Sequence, residues 1–129
     1  MAQFTTPFSG KYTGTITSTE LSASFLSTDI FAATVSTNTT ADCATYNIFS
    51  YTLDDSIELT GSNPVAGASY LFFLTQDGAG AREVTWSSHF LWAGGTAPTL
   101  STDGAAVDII TGISDGTSIY AAASLDFKS

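Results

Sequence analysis

An all-β chain, folded as a single β-sandwich of jelly-roll type, is what the sequence predicts, on three observations. Charged residues are 12% of the chain, about half the usual share of roughly 25%. The polar remainder is Ser, Thr, Asn and Gly, which suits strands and tight turns, while the strong helix formers Glu, Lys, Gln and Arg are scarce. Apolar residues alternate with polar ones over short runs, and no helical period persists. Turn signals recur about every 8–12 residues, the spacing of sandwich strands. A length of 129 residues fits one domain.

Residues 1–10, "MAQFTTPFSG", hold Pro7, Gly10 and few anchors. They read as an arm that orders against a neighbour, or as a first strand, and the sandwich domain is expected over 11–129. "KYTGTITS" (11–18) alternates with Tyr12, Gly14 and Ile16 on one face, and "LSASFL" (21–26) with Leu21, Ala23 and Phe25. "DIFAATVS" (29–36) is a continuous apolar run, as in a short buried strand. "TNTTADC" (37–43) is a break, and "TYNIFSYTL" (45–53) alternates strongly. Asp54-Asp55 makes a turn before "SIELTG" (56–61), and "SNPVAGA" (62–68) is a loop. "SYLFFLTQ" (69–76) is the most apolar run and is expected to be central. "REVTW" (82–86) and "HFLWA" (89–93) flank Ser87-Ser88, and "GGTAPTLSTDGA" (94–105) is too rich in Gly, Pro and Thr for regular structure. "AVDIITGI" and "TSIYAAASLDF" close the chain around "SDGT", a strong hairpin signal. No clear internal repeat is legible.

Charge excludes some partners. Twelve acids against three cations (Lys11, Arg82 and Lys128) give a net charge of −9. Nucleic acid and anionic membrane surfaces both require basic groups, so neither is an expected partner. No apolar run approaches the roughly 20 residues of a membrane span. The N-terminus lacks the basic and apolar segments of a signal peptide, so synthesis in a cytoplasm is expected. Cys43 is alone, which leaves no internal disulfide and reads as a small buried residue.

"TQDGAGAREVTW" (75–86) asks whether the chain does chemistry. A phosphate cradle needs Gly-x-x-x-x-Gly-Lys-Ser/Thr opening a helix. This stretch has no such lysine and runs into a strand. A calcium loop needs several carboxylates at alternating positions, and one Asp precedes the glycines. The stretch reads as a wide hairpin turn, with Asp77-Gly78 and Gly80 in positive-φ positions. His89 is the only histidine, so neither a zinc site nor a catalytic triad is supported. Asp54, Asp55 and Glu58 form a local acidic cluster, which in a turn faces water. No catalytic residue, cofactor or metal site is expected, and the chain is expected not to be an enzyme.

Three blocks in order, "TQDGAGAREVTW", "FLWAGGTAPTLST" and "AVDIITGISDGTSIYAAASLDF", resemble a β-module of tail-fibre, baseplate and other structural proteins of tailed bacteriophages. The resemblance covers about residues 41–129. Ser87 and Ala93 stand where the module usually has proline, which leaves that loop less pre-set. The resemblance implies a virion structural protein. The expectation drawn from it, with the short chain and its acidity, is a decoration or cement protein on the outer capsid, bound to the major capsid protein or other virion proteins. A homotrimer is expected by analogy. The alternative is a tail-fibre or baseplate adhesin that recognises a host-surface glycan. Candidate partner-binding residues are Phe4, Phe8 and Tyr12 on the arm, because apolar groups on a polar segment need something to dock on, and Trp92. Trp86 and Trp92 read first as core or subunit-contact residues and second as sugar-stacking ones.

Overall fold

The computed structural model describes residues 29–128. Phe4, Phe8, Tyr12 and the alternating runs at 11–18 and 21–26 lie outside the described residues. Nine strands follow one another with a single short 3-10 turn: β1 Ile30–Val35, β2 Thr39–Asp42, β3 Ile48–Leu53, β4 Ile57–Ser62, β5 Ser69–Gln76, β6 Val84–Trp86, β7 Phe90–Trp92, β8 Val107–Ser114 and β9 Ile119–Phe127. They make a six-stranded sheet in the order β1-β3-β5-β8-β9-β7 and a three-stranded sheet in the order β2-β4-β6. The all-β sandwich is therefore observed, and β5 sits inside the larger sheet as its apolar sequence demands.

The jelly-roll part of the expectation does not hold. A jelly roll is built from antiparallel strands, whereas β1, β3 and β5 run parallel, and so do β2, β4 and β6. Through the first six strands the chain alternates between the two sheets, and each return lays a new strand in parallel beside the previous one of that sheet; a sixth crossing leads to β7. Only β5–β8 and β8–β9 pair antiparallel in the large sheet, and β7 joins β9 in parallel at its edge. The structure thus has a repeat that the sequence hides. "IFAATV" and "IFSYTL" lie side by side in register, Ile30 on Ile48 and Phe31 on Phe49. The connections between successive layers differ in length, which blurs any fixed period.

Parallel stacking in register brings like positions together. Phe31, Phe49 and Phe72 form one row across the interior of the large sheet. The Phe49 and Phe72 rings stack with centroids 5.0 Å apart, close to the roughly 4.8 Å spacing of paired strands. The core continues through Tyr51, Leu53, Leu59, Leu74, Ile110 and Ile119, all buried. Trp86 and Trp92 face inward too. Their rings meet edge to face at 4.9 Å, and Trp86 meets Phe90 in the same way at 4.9 Å.

The β8–β9 hairpin confirms the "SDGT" reading. Asp115 Oδ1 accepts from the Thr117 and Ser118 backbone N–H groups, each at 2.8 Å, and Gly116 takes φ 97°. Those backbone donors hold the Asp115 carboxyl below the ordinary range.

Candidate functional site

Three parts of the molecule have a built surface or loop: the corner at 77–83, the outer face of the small sheet and the outer face of the large one.

The glycine stretch is not a hairpin, because β5 and β6 belong to different sheets. It is a corner that carries the chain from one layer to the other, and it is locked from inside. Gln76 is buried; its Nε2 donates to Arg82 O, and its Oε1 accepts from Arg82 N, both at 2.8 Å. Asp77 Oδ1 accepts from Gly80 N at 2.8 Å and Ala79 N at 3.1 Å. Asp77 Oδ2 accepts from Arg82 Nη2 at 2.6 Å and Nε at 3.2 Å. The Arg82 guanidinium holds the Asp77 carboxyl below the ordinary range, with help from the Gly80 and Ala79 amides. The N–H groups that a phosphate cradle would aim at a ligand are spent on Asp77. The motif is therefore a structural clamp.

Positive φ falls at Gly80 (71°) and at Ala81 (58°), and not at Gly78. A Cβ on Gly80 would run into the carbonyl of Thr102 and lie 2.9 Å from Gly104 N. This corner is pressed against the 102–105 loop, and Ala81 N donates to Thr102 O at 2.8 Å. Substituting Gly80→Ala adds overpacking to left-handed strain, so a loss of about 2 kcal/mol is expected. Urea titration checks it, and an unchanged midpoint would remove the close approach from the account.

Asp108 supplies the second lock, and neither it nor Gln76 was singled out from sequence. It is buried at 1% exposure. Its carboxylate accepts from Ser101 N at 2.7 Å, Ser101 Oγ at 2.7 Å and Asp126 N at 2.8 Å. It pins the irregular 94–106 segment and the bulged end of β9 to the sheet. The signal was available: both residues occupy the inward phase of their strands, two positions from the buried Leu74 on β5 and Ile110 on β8.

No group of three or more His, Cys, Asp or Glu side chains able to hold a metal occurs among the described residues. Asp54 and Asp55 lie in the exposed turn between β3 and β4. Ser87 Oγ lies 3.4 Å from His89 Nδ1. Cys43 is buried, and loss of solvation pushes its thiol up to about 11, with the Asp42 charge adding to it. It stays protonated at neutral pH and is a poor nucleophile.

The two outer faces differ sharply. The small sheet presents Thr40, Asp42, Glu58, Thr60, Ser62 and Thr85 outward, a row of hydroxyls with two acids. The large sheet carries no charged residue at the outward positions of its strands apart from the bulged end of β9, where Asp126 is exposed, and Asp115 reaches the face by accepting from Tyr120 Oη at 3.1 Å. A groove of about 770 Å³ crosses one end of that face, walled by Leu71, Leu91, Ile113 and Tyr120. The chain at Trp92 borders the groove, while its ring lies among Trp86 and Phe90.

A corner-locked β-sandwich with one hydroxyl-rich face and one largely uncharged face defines a surface-presenting structural module. The chain belongs to a bacteriophage tail-fibre family: the profile described as "putative phage tail fibre C-terminal domain" matches residues 12–119. No curated protein and no solved structure matches the chain. The family match begins well ahead of residue 41, where the resemblance read from sequence began. The protein is accordingly a phage virion component. The match supports the tail-fibre alternative and lends nothing to the capsid-decoration expectation.

Proposed function

We propose that the chain is the distal module of a tail fibre, through which the virion binds a glycan on the host surface without turning it over. The family match over residues 12–119 carries this reading. The hydroxyl-rich outer face of the small sheet supports it. Exposed Thr and Ser side chains can both donate to and accept from sugar hydroxyls. With β4 between β2 and β6, Thr40 lies beside Thr60 and Glu58 beside Thr85. The locked corner beside these strands supports it too, since a pre-ordered surface loses less entropy on binding.

Competition for adsorption tests the reading. Purified protein preincubated with host cells is expected to slow phage adsorption in a saturable way, and enzymatic removal of surface polysaccharide is expected to abolish its binding to cells. Labelled antibody should decorate the tails of intact particles in electron micrographs. Protein that leaves adsorption untouched, with label on the capsid shell, would reject it.

A further inference from the structure

The parallel stack is open at its first layer. Among the described residues β1 pairs only with β3 and β2 only with β4, so each stands at the edge of its sheet. An uncovered edge presents a row of unpaired N–H and C=O groups, which folded proteins normally protect. The interior is open at the same end. Phe31 takes the inward phase, level with the buried Phe49, yet it is 38% exposed. A recess of about 120 Å³ lies among Phe31, Tyr46, Phe49 and Tyr51. The Tyr51 hydroxyl is buried beside it with no hydrogen-bond partner among the described residues. An inward phenylalanine left this exposed marks a core that continues past β1 and β2.

Spacing along the chain identifies what continues it. β1 and β3 begin at Ile30 and Ile48, and β2 and β4 at Thr39 and Ile57, a step of 18 residues in both sheets before the later connections lengthen. One such step back from Ile30 is Tyr12, and one step back from Thr39 is Leu21. These residues head the two alternating faces legible in the sequence, Tyr12-Gly14-Ile16 and Leu21-Ala23-Phe25. The passage left between 24 and Ile30 is as long as the one that carries the chain from β2 to β3, so its reach suffices. On this step Leu21, Ala23 and Phe25 share the phase of Thr39, Ala41 and Cys43, and Ala41 and Cys43 are buried. β2 pairs with β4 as Thr39 on Leu59, a shift of two residues that keeps the phase. Residues 12–26 hold one acid, Glu20, and no cation, which suits a covered layer. The tail-fibre profile supplies an independent boundary, because it too begins at residue 12.

We infer that residues 12–24 of the same chain dock on the open end as one further parallel layer, 12–17 beside β1 in the large sheet and 21–24 beside β2 in the small one. Leu21 and Phe25 then close the core next to Phe31, and the layer caps the stack as terminal repeats do in repetitive folds. Ser22 and Ser24 extend the hydroxyl-bearing outer face of the small sheet past Thr40 and Asp42. This inference does not depend on the glycan reading, and its test is separate.

Hydrogen exchange of the full-length chain, read by mass spectrometry, tests the layer. Backbone amides of 12–17 and 21–24 are expected to exchange about a hundredfold or more slower than in a free peptide of the same sequence. Exchange at the free-peptide rate would overturn the inference. Disulfide trapping separates the chain's own segment from one lent by a second copy. Neighbouring strands hold their Cα atoms within bridging distance, and the step of 18 sets Gly14 beside Ala32. Gly14→Cys with Ala32→Cys, in a Cys43→Ala chain, is expected to form a bridge within one chain, read as a joined peptide after digestion of material that runs as a monomer without reductant. Gly14→Cys with Ile113→Cys is expected to form none. A 14–32 bridge that links two chains, its absence, or equal bridging at 14–113 would each overturn the inference. Leu21→Asp is expected to speed exchange in β1 about tenfold while the β8–β9 hairpin stays protected. Unchanged protection of β1 in that variant would count against the layer in the same way.

Discussion

Replacing Phe72 by alanine is expected to cost about 4 kcal/mol, the largest single loss among the substitutions considered. Phe72 is fully buried at 0% exposure. Its ring stacks on Phe49 at 5.0 Å and meets Phe90 edge to face at 5.6 Å. It lies between Phe49 on β3 and Ile110 on β8, where the parallel part of the sheet meets the antiparallel part. Removing the ring leaves a cavity that β-sheet backbones on both sides cannot close, so transfer and cavity costs add. Total stabilities of about 5–15 kcal/mol make this a large fraction of the whole. Urea unfolding measures it. Phe73→Ala is the control: one position along, the side chain points to the outer face and is only half-buried, so a clearly smaller loss is expected. Equal losses at 72 and 73 would mean that β5 is not one-sided toward the core as described.

The second large effect is expected at Asp108. Asp108→Ala removes an acceptor that three donors share and strands the Ser101 and Asp126 N–H groups in a part-buried setting. Bonds to a charged group and orphaned donors each carry roughly 1–3 kcal/mol, and the losses are not fully additive, so about 3 kcal/mol in total is expected. Asp108→Asn keeps the shape and one carbonyl oxygen, but its amide group faces a donor where the carboxylate accepted, and most of the loss should remain. The effect has a local signature as well. Once unpinned, the 94–106 segment should be cut by protease under native conditions, while the β3–β4 turn stays resistant. Wild-type stability and cleavage in Asp108→Ala would show that the segment is held by something other than this carboxylate.

Legibility in the sequence followed the range of the interactions involved. Strand positions from residue 30 onward were readable where alternation, a local property, is strong; β2 (Thr39–Asp42) was missed because "TNTTADC" reads as a break, and β1, expected to be buried, is mostly exposed at the sheet edge. "TYNIFSYTL" assigns Phe49, Tyr51 and Leu53 to one face, and all three are buried. Turn chemistry was readable where one residue makes it, as Asp115 does at the "SDGT" hairpin. The glycine stretch was half-readable. Its turn character was clear, but a turn within a sheet and a corner between sheets use the same residue types. Gln76 and Asp108 went unnoticed because a polar side chain on the inward phase is meaningful only once its partners, Arg82 and Ser101, are known to lie opposite it.

The candidate surfaces were less legible than the core. Trp92 was singled out as partner-binding, and its ring is shared between the core and the edge of the groove. Phe4, Phe8 and Tyr12 lie outside the described residues. The largely uncharged outer face of the large sheet went unseen because it is assembled from six strands, each contributing one to four outward residues. No single strand looks unusual on that side. Only their side-by-side placement makes the row from Ile30 to Ala122.

What the sequence by itself determined is the all-β character, the place of the described strands other than β2, the inward phase of clearly alternating strands such as β3, and the absence of a basic surface. All of these depend on neighbouring residues or on composition. What only the tertiary structure decided is which strand lies beside which. Alternation assigns a residue to one of two faces and says nothing about the neighbouring strand. The choice between an antiparallel jelly roll and three parallel layers rests on long-range pairing through connections of unequal length, and so does the contrast between one hydroxyl-rich face and one largely uncharged face.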